Sequence, residues 1–541
     1  MLLFDRILAA RGLDAESKAA FLIPEYSTSY DPFLLPDMDK AVERILVAKK
    51  RQDKIAIYGD YDIDGLTAST LLLDALNSFG FKHVEVFIPN RFQEGYGLSI
   101  EAIEKIAKAG AKLIITVDSG SDSEKEINKA NDLKMDVIVT DHHSTGISNS
   151  SALAFINPKR QDNKYPFRDL AAVGVAFKLV QALQTRMEGL PVGQEKWLLD
   201  LVALGTVCDI VSLVDENRTN VYFGLKVLSK TKRPGLKAVM AIAGIDPKNL
   251  NARSIGFGIG PRMNAAGRLE TAQHALDMLT AIDPMLALEK AQYLDTLNKS
   301  RRAEQDKIFK QAIVQVEDYD QQPVLVVSDK SWNHGIVGIV ATKLLEKYKK
   351  PSFVFQELDN ESKGSARSYG DFSLVDVINS VKDIITKGGG HNLAAGVTLP
   401  TQNIAKFRKQ VNDFYAKQGL VNQQSLLLPC ADADAELSEV TEELVDLIAQ
   451  LEPFGIGNPQ PIIKTNNLSV LDIKRMGADS QHVKLNLQDS NGKSMQFLAF
   501  NAPDSFFVEL GSQLSIWYHI DINEWRGRRS VEGQILHIEV E

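Results

Sequence analysis

From about residue 54 to 210, short apolar runs alternate with longer amphipathic stretches. The runs at 54–58, 83–88, 113–117 and 137–140 read as strands, and 66–79, 99–109 and 122–132 read as helices. Alternation of this kind predicts an α/β region, a parallel sheet with helices on both faces. Continuous apolar strands fit burial on both sides, and ligands of such sheets bind beyond the carboxyl ends of the strands. Residues 284–318 hold no internal proline or glycine and predict one long charged helix. Past it, a strand at 323–328 and a helix at 335–347 open a second α/β region that ends near Gly419. A linker, a short helical stretch reaching Gln450 and the turn-rich Pro453-Phe454-Gly455-Ile456-Gly457-Asn458-Pro459 come next. Alternating runs at 468–474, 482–487, 495–500, 514–522 and 534–540 then predict five strands closing a small β-barrel. The expected division is an extension at 1–50, a first α/β domain at 51–283, the connecting helix at 284–318, a second α/β domain at 319–420, a linker at 421–460 and the barrel at 461–541.

At 541 residues the chain is too long for one ordinary core, which agrees with that division. No apolar run is long enough to cross a bilayer. The opening residues, with Asp5 and Arg6, lack the apolar stretch of a secretory signal, so the cytoplasm is the expected compartment. Two cysteines, Cys208 and Cys430, make neither a disulfide framework nor a cysteine zinc site, and Cys208 reads as a small buried side chain. A net charge of −9 counts against a nucleic-acid partner. A divalent metal site concentrates carboxylates that its ions later neutralise, however, so local charge decides more than the sum.

The carboxylates are not scattered evenly. Asp60-Tyr61-Asp62-Ile63-Asp64-Gly65, Thr116-Val117-Asp118-Ser119-Gly120, Thr140-Asp141-His142-His143 and Gly205-Thr206-Val207-Cys208-Asp209 each set an acid after an apolar run. The four read as one metal site assembled from several strand ends. An EF-hand calcium loop would need a glutamate where Leu71 stands, which excludes that reading of Asp60, Asp62 and Asp64. Any one of these acids alone, Asp64 or Asp122 included, also fits a helix cap. Asp62, Asp64, Asp118, His142 and Asp209 together fit a ligand set. Carboxylates suit magnesium and manganese, and imidazole among them tilts toward manganese. Two such ions about 3.5–4 Å apart clamp an in-line displacement at phosphorus. Asp118 is the candidate bridging acid. Asp62 and Asp64 would point the same way in an extended loop. His143 can hydrogen-bond a phosphate or protonate a leaving oxygen, and Asp141 can orient a ligand from behind.

These residues resemble the DHH phosphoesterase superfamily and, within it, the RecJ single-stranded-DNA exonucleases. The likeness also takes in Arg91-Phe92-Gln93-Glu94-Gly95-Tyr96-Gly97, Gly260-Pro261-Arg262-Met263-Asn264-Ala265-Ala266-Gly267-Arg268, Gly364-Ser365-Ala366-Arg367-Ser368, Gly389-Gly390-His391 and the run from Pro453 to Pro459. It implies a DHH catalytic domain, a long helix, a DHH-associated domain and an OB-fold. It implies an exonuclease that degrades single-stranded DNA from the 5′ end with two Mn2+ or Mg2+ ions. Asp62, Asp64, Asp118, His142 and Asp209 would be the ligands, with Asp60 and His143 lining the site. Arg262 would contact a phosphate near the scissile bond, while Arg91, Ser365 and Arg367 would hold the 5′-terminal phosphate. His391 would face the cleft from the second domain. Roles in repair and recombination beside a helicase and a single-strand-binding protein are implied by the resemblance only; a monomer is expected. Ser119, Ser121-Asp122-Ser123, Cys208 and Asn333-His334 depart from the family's usual residues, but none is an expected ligand.

Basic and aromatic residues add a second signal. Arg302, in Asn298-Lys299-Ser300-Arg301-Arg302, fits either a solvated helix face or a phosphate contact. Trp517, Trp525, Arg526, Arg528 and Arg529 interleave stacking and charge on the barrel, although Trp517 also fits a barrel core. Two rival functions share the acids. One is a phosphodiesterase for short oligonucleotides or cyclic dinucleotides, which needs no barrel; the other is a nucleic-acid-binding scaffold with an idle site.

Overall fold

A computed structural model describes residues 1–91, 94–95, 97–144, 151–319, 321–420, 424–477, 479–525 and 527–541. The first sheet contains β1 (Ile55–Gly59), β2 (Val84–Phe87), β3 (Leu113–Val117), β4 (Asp136–Thr140) and β5 (Ala154–Ile156). It is parallel throughout, in the order β2-β1-β3-β4-β5. β1, β3 and β5 are buried along their whole length, as their unbroken apolar sequence requires. The chain goes from β1 to β2 on one side and returns to β3 on the other, so the topological switch point lies between β1 and β3. Helix α1 (Ile63–Ser78) follows β1 and packs against α2 (Ala172–Gln184) and α3 (Leu199–Cys208) over a core that includes Ile57, Leu66, Ile115, Val175 and Leu201.

After α3 the chain runs through a π-helical turn, Ser254–Ile259, directly into α4 (Gly260–Leu269). The long helix α5 (Pro284–Glu317) begins on Asp283, whose carboxylate accepts the Met285 N–H at 3.0 Å, with Pro284 at the first helical position where no N–H is needed. Its Ala291, Leu294 and Leu297 belong to the first core, while Ile308, Ala312 and Val316 pack in the second domain. One rigid rod therefore serves two cores. The second sheet is mixed: β6 (Leu325–Asp329), β7 (Ser352–Glu357), β8 (Glu361–Arg367), β9 (Lys387–Gly390) and β10 (Ala394–Pro400), in the order β6-β7-β8-β10-β9. Only β6 and β7 run parallel. Helix α6 (His334–Tyr348) joins them, capped by Asn333, whose side chain accepts the Gly335 N–H at 2.8 Å. The departure at Asn333-His334 thus builds a sound helix start.

The C-terminal strands close a barrel. A short β11 (Ala433–Asp434) precedes α7 (Glu442–Ala449), and then β12 (Ile463–Met476), β13 (His482–Gln488), β14 (Ser494–Ala499), β15 (Gln513–Trp525) and β16 (Arg528–Val540) follow. The order β11-β12-β13-β14-β16-β15 is closed by pairing of β12 with β15. Leu468, Leu485, Phe497, Ile516 and Tyr518 fill the interior. Trp517 is not among them: it faces outward, tilted against the His537 ring at 5.1 Å and under Lys464 at 4.5 Å. The N-terminal residues are no free extension. Leu3, Phe4, Ile7 and Leu8 complete the barrel core, while Tyr26, Tyr30 and Phe33 pack on the first domain. There the fully buried Lys178 donates to Ser29 Oγ at 3.0 Å and to Glu216 Oε1 at 2.9 Å. Arg218 donates to the Phe21 carbonyl at 2.7 Å and the Glu452 carbonyl at 2.8 Å, pinning this strap and the α7–β12 turn to one helix of the first domain. Among the described residues no helix is long and apolar enough to cross a membrane.

Candidate metal centre

Sheet register is what gathers the acids. Gly59 pairs with Val117, and Val117 with Thr140, so β1, β3 and β4 end level. The residues that follow are Asp60, Asp118 and Asp141, all buried. Asp118 takes a left-handed backbone, φ 60°, a conformation that aspartate tolerates better than most residues and that persists where its surroundings enforce it. Asp62 and Asp64 are not in an extended loop. Asp62 caps α1 by accepting the Gly65 N–H at 3.1 Å, and Asp64 sits in the first helical turn. The Asp64 oxygens accept the N–H groups of Ala172 at 2.6 Å and Val173 at 2.9 Å, the first residues of α2. A Cβ at Gly65 would lie 2.6 Å from the backbone of Asp60, so the acidic loop folds onto its own helix only with glycine there. A Cβ at Gly205 would lie 2.7 Å from Asp64 Oδ1, which is how closely α3 passes. Asp209 follows α3 as its C-cap; it is a helix end, not the strand end that the apolar run suggests.

Three overlapping groups result: Asp60, Asp62 and Asp118; Asp118, His142 and His143; and Asp64, His142 and Asp209, with ligand atoms within 4.8 Å of one another in each. His142 Nε2 stands 3.3 Å from Asp118 Oδ1, 3.5 Å from Asp209 Oδ2 and 3.9 Å from Asp64 Oδ2. Asp60 Oδ1, Asp118 Oδ1 and both ring nitrogens of His142 are buried without a hydrogen-bond partner among the described residues. Buried polar atoms are nearly always satisfied, and acids and imidazole left open toward one another fit divalent cations well. The histidines are held from behind. Asp141 Oδ1 accepts from the His142 N–H at 2.7 Å and lies 2.8 Å from His143 Nδ1, while its Oδ2 accepts the Ser121 N–H at 3.0 Å. Asn157 donates to Ser121 Oγ and to the His143 carbonyl, both at 3.0 Å. Ser121 therefore belongs to the support of the site, whereas the Ser119 hydroxyl turns back to the Val117 carbonyl at 3.4 Å.

Crowded carboxylates resist ionisation. Burial, with the charge of Asp62, pushes Asp64 up to about 7, and burial with Asp64 and Asp62 pushes Asp209 up to about 9. Asp60 and Asp118 are raised by burial and by Asp62. Burial and the charge of His143 bring His142 down to about 4. Burial opposes the charged forms of Asp141 and His143, but their mutual hydrogen bond outweighs it, so Asp141 lies below the usual carboxylate range and His143 above the usual imidazole range. The raised acids keep protons in the metal-free fold that the unfolded chain would lose, so their stabilising contribution is full below the ordinary aspartate value of 3.8 and is lost as pH rises from there through about 7 and about 9. A divalent cation requires the ionised acids and removes that loss. The gain in Tm from saturating Mn2+ should therefore grow from about pH 6 to about pH 8.5, and calorimetry in buffers of different ionisation enthalpy should show protons released on binding. A pH-independent gain without proton release would contradict protonated acids.

Beside the acids lies a cluster of guanidinium groups. Arg91 stands 5.3 Å from the Tyr61 ring centroid. Arg268 donates to the Gly335 carbonyl at 3.2 Å, at the start of α6. A Cβ on Gly338, one turn on, would lie 3.4 Å from Ser365 Oγ and 3.5 Å from Arg367 Nη2, so these two side chains cover the same end of α6. Arg301 is buried and clamped by Asn298 Oδ1 and Gln305 Oε1, both at 2.8 Å. Burial and the charges of Arg91, Arg301 and Arg367 bring Arg268 down to about 10. Arg268 and Arg301 carry no role in the sequence reading. Arg268 closes a motif in which the resemblance points to Arg262 alone, and Arg301 shares a helix face with buried Leu294, Leu297 and Ile308 while Arg302 is exposed. Arg262 itself is tied to Asp295 at 2.8 Å and to the Gly258 carbonyl at 2.7 Å. His391 is exposed on the hairpin between β9 and β10. Arg528 is exposed at the start of β16, and Arg526 and the side chain of Trp525 lie outside the described residues.

A cleft of about 880 Å³ opens over this region, walled by Cys208 and Phe257 of the first domain, Arg301 of α5, Ile448 of α7, and His519 and Leu536 of the barrel. Cys208 is half-buried on that wall, not sealed in the core.

Comparison with known proteins gives matches along most of the chain. The DHH family, N-terminal domain, matches residues 54–206, the DHHA1 domain 321–417 and the RecJ OB domain 431–537. The chain is 38% identical over 535 residues to the single-stranded-DNA-specific exonuclease RecJ of Bacillus subtilis, covering 98% of this chain and 67% of that protein. It is 33% identical over 521 residues to that of Escherichia coli, covering 92% and 89%. Among solved structures it is similar to RecJ of Thermus thermophilus in complex with Mn2+, with a TM-score of 0.84 and 26% identity over 99% of this chain and 75% of that one. It is also similar to an exonuclease RecJ bound to manganese, with a TM-score of 0.63 and 30% identity over 72% of this chain and 96% of that one.

Proposed function

The chain belongs to the RecJ family of the DHH phosphoesterases, and from that premise we propose that it is a metal-dependent exonuclease that removes mononucleotides from the 5′ end of single-stranded DNA, using two Mn2+ or Mg2+ ions. The observation that carries this reading is the convergence of Asp60, Asp62, Asp64, Asp118, His142, His143 and Asp209 at the carboxyl end of a parallel sheet. Bound cations would lower the pKa of a water and offset charge on the phosphodiester oxygens. Asp62, Asp64, Asp118, His142 and Asp209 would hold the ions, and Asp60 lines the same space. Asp118 is shared by two of the three groups and has two oxygens to offer, which suits a bridging acid. His143, oriented by Asp141, hydrogen-bonds the phosphate or gives a proton to the leaving oxygen.

Arg91, Ser365, Arg367 and Arg268 take the 5′-terminal phosphate. The charges of Arg91, Arg301 and Arg367 on half-buried Arg268 favour an anion among them, and a guanidinium grips phosphate with two donors. A terminal-phosphate pocket next to the metals sets where the first scissile bond falls, and so the polarity. The barrel forms one wall of the cleft, which favours a polymer over a dinucleotide. We assign the protein to DNA repair and recombination in the cytoplasm, acting as a monomer on strands supplied with the help of a helicase and a single-strand-binding protein.

Digestion of end-labelled single and double strands with Mn2+, Mg2+ or chelator tests the reading. The 5′ label should leave first, as a mononucleotide, from single strands only and never with chelator. Release from the 3′ end, or equal digestion of duplex, would overturn it.

A further inference from the structure

We infer that Phe257 is a nucleobase-stacking residue that grips the strand beyond the metal centre, an assignment that rests on the nuclease reading. Phe257 lies in the π-helical turn Ser254–Ile259. Ile255 and Ile259 of that turn are fully buried, and Phe257 between them points the other way, 74% exposed and into the cleft. A large apolar ring kept in water costs stability unless a ligand covers it, and single π-helical turns recur at functional sites. The turn is held firmly: Asn251 Oδ1 accepts the Ser254 N–H at 2.9 Å and its hydroxyl at 3.0 Å.

The surroundings suit a single strand. The Arg253 guanidinium is 5.9 Å from the Phe257 ring centroid and exposed to the same cleft. The turn runs directly into α4, whose Asn264 and Arg268 also line the cleft, so Phe257 stands about 15 Å along one helical rod from the guanidinium cluster. The facing wall differs in character: Ile520 and Leu536 are apolar, and Glu452 and Asp521 are acidic. Phosphates are repelled there and attracted to Arg253, Arg268 and Arg301 on the other side. A sugar-phosphate chain running along the arginines carries its bases into the space that Phe257 occupies, and every base offers a face for stacking whatever the sequence.

Phe257→Ala and Phe257→Trp test the role on long homopolymeric thymidine strands. The alanine variant should raise KM about tenfold with kcat within about twofold of wild type, and tryptophan should restore KM. In metal-free protein the Phe257→Trp variant should lose more indole fluorescence than wild type when titrated with the same strand, because stacking quenches the added ring. A KM within about twofold of wild type for the alanine variant, or no added quench for the tryptophan variant, would overturn the assignment. A wild-type protein that digests no single strand would instead overturn the nuclease reading, while the metal-free quench still decides the role of Phe257.

Discussion

Asp118→Ala is expected to abolish nucleotide release from a 5′-phosphorylated single strand, a fall of at least about 10³-fold. The side chain stands in two of the three ligand groups, and its Oδ1 has no hydrogen bond to lose among the described residues. What is removed is therefore its part in binding cations. Asp118→Asn separates charge from shape. Burial and the neighbouring Asp62 and Asp64 raise Asp118, so as pH rises above the ordinary carboxylate range this side chain costs the metal-free fold stability, because the unfolded chain ionises it freely. The asparagine variant should lose activity as completely as the alanine variant, yet in chelator near pH 8 it should melt higher than wild type. Functional residues that resist their own fold are a common compromise. Scanning calorimetry in chelator, paired with the digestion assay, checks both halves. Retained activity, or a lowered melting temperature for Asp118→Asn, would contradict the assigned role.

Arg367→Ala is expected to lower kcat/KM on a 5′-phosphorylated strand about 100-fold, with a much smaller loss on a strand that begins with a hydroxyl. A charge-assisted contact to phosphate is worth about 1.5–3 kcal/mol, and only the phosphorylated end can lose it. The fold should tolerate the change, because Arg367 is one of the cations that depress Arg268 and its removal relieves that repulsion. Its one hydrogen bond among the described residues, to the Ala366 carbonyl at 2.8 Å, is local. Parallel kinetics on strands differing only in the terminal phosphate make the comparison. Equal losses on both would place Arg367 elsewhere in the mechanism.

Much of the architecture can be read from the chain because its first sheet is buried on both faces. Residues 55–59, 113–117 and 136–140 are nearly unbroken apolar runs, and the acids that follow them mark the strand ends directly. Asp209 defeats the same reasoning. Leu199–Cys208 is apolar nearly all round, so it shows no helical period and resembles a strand, yet it is a helix buried from Leu199 to Thr206. Asp62 and Asp64 alternate as in an extended loop, but Gly65 lets the helix begin three residues earlier than the apolar pattern implies. Arg301 and Arg302 are neighbours whose fates differ by one step of helix phase, a distinction visible only once the buried face of α5 is known. Trp517 is the mirror case on a strand: Tyr518 faces the barrel interior, so Trp517 must face out. The docking of Leu3, Phe4, Ile7 and Leu8 into a barrel core more than 400 residues away leaves no local trace in sequence at all.

Anomalous diffraction from Mn2+-soaked crystals, collected at the manganese edge, shows whether the clustered acids and His142 hold a pair of cations. Two peaks about 3.5–4 Å apart are expected among Asp62, Asp64, Asp118, His142 and Asp209, with Asp118 touching both. A map without peaks there, or with manganese bound only elsewhere on the protein, would contradict that site.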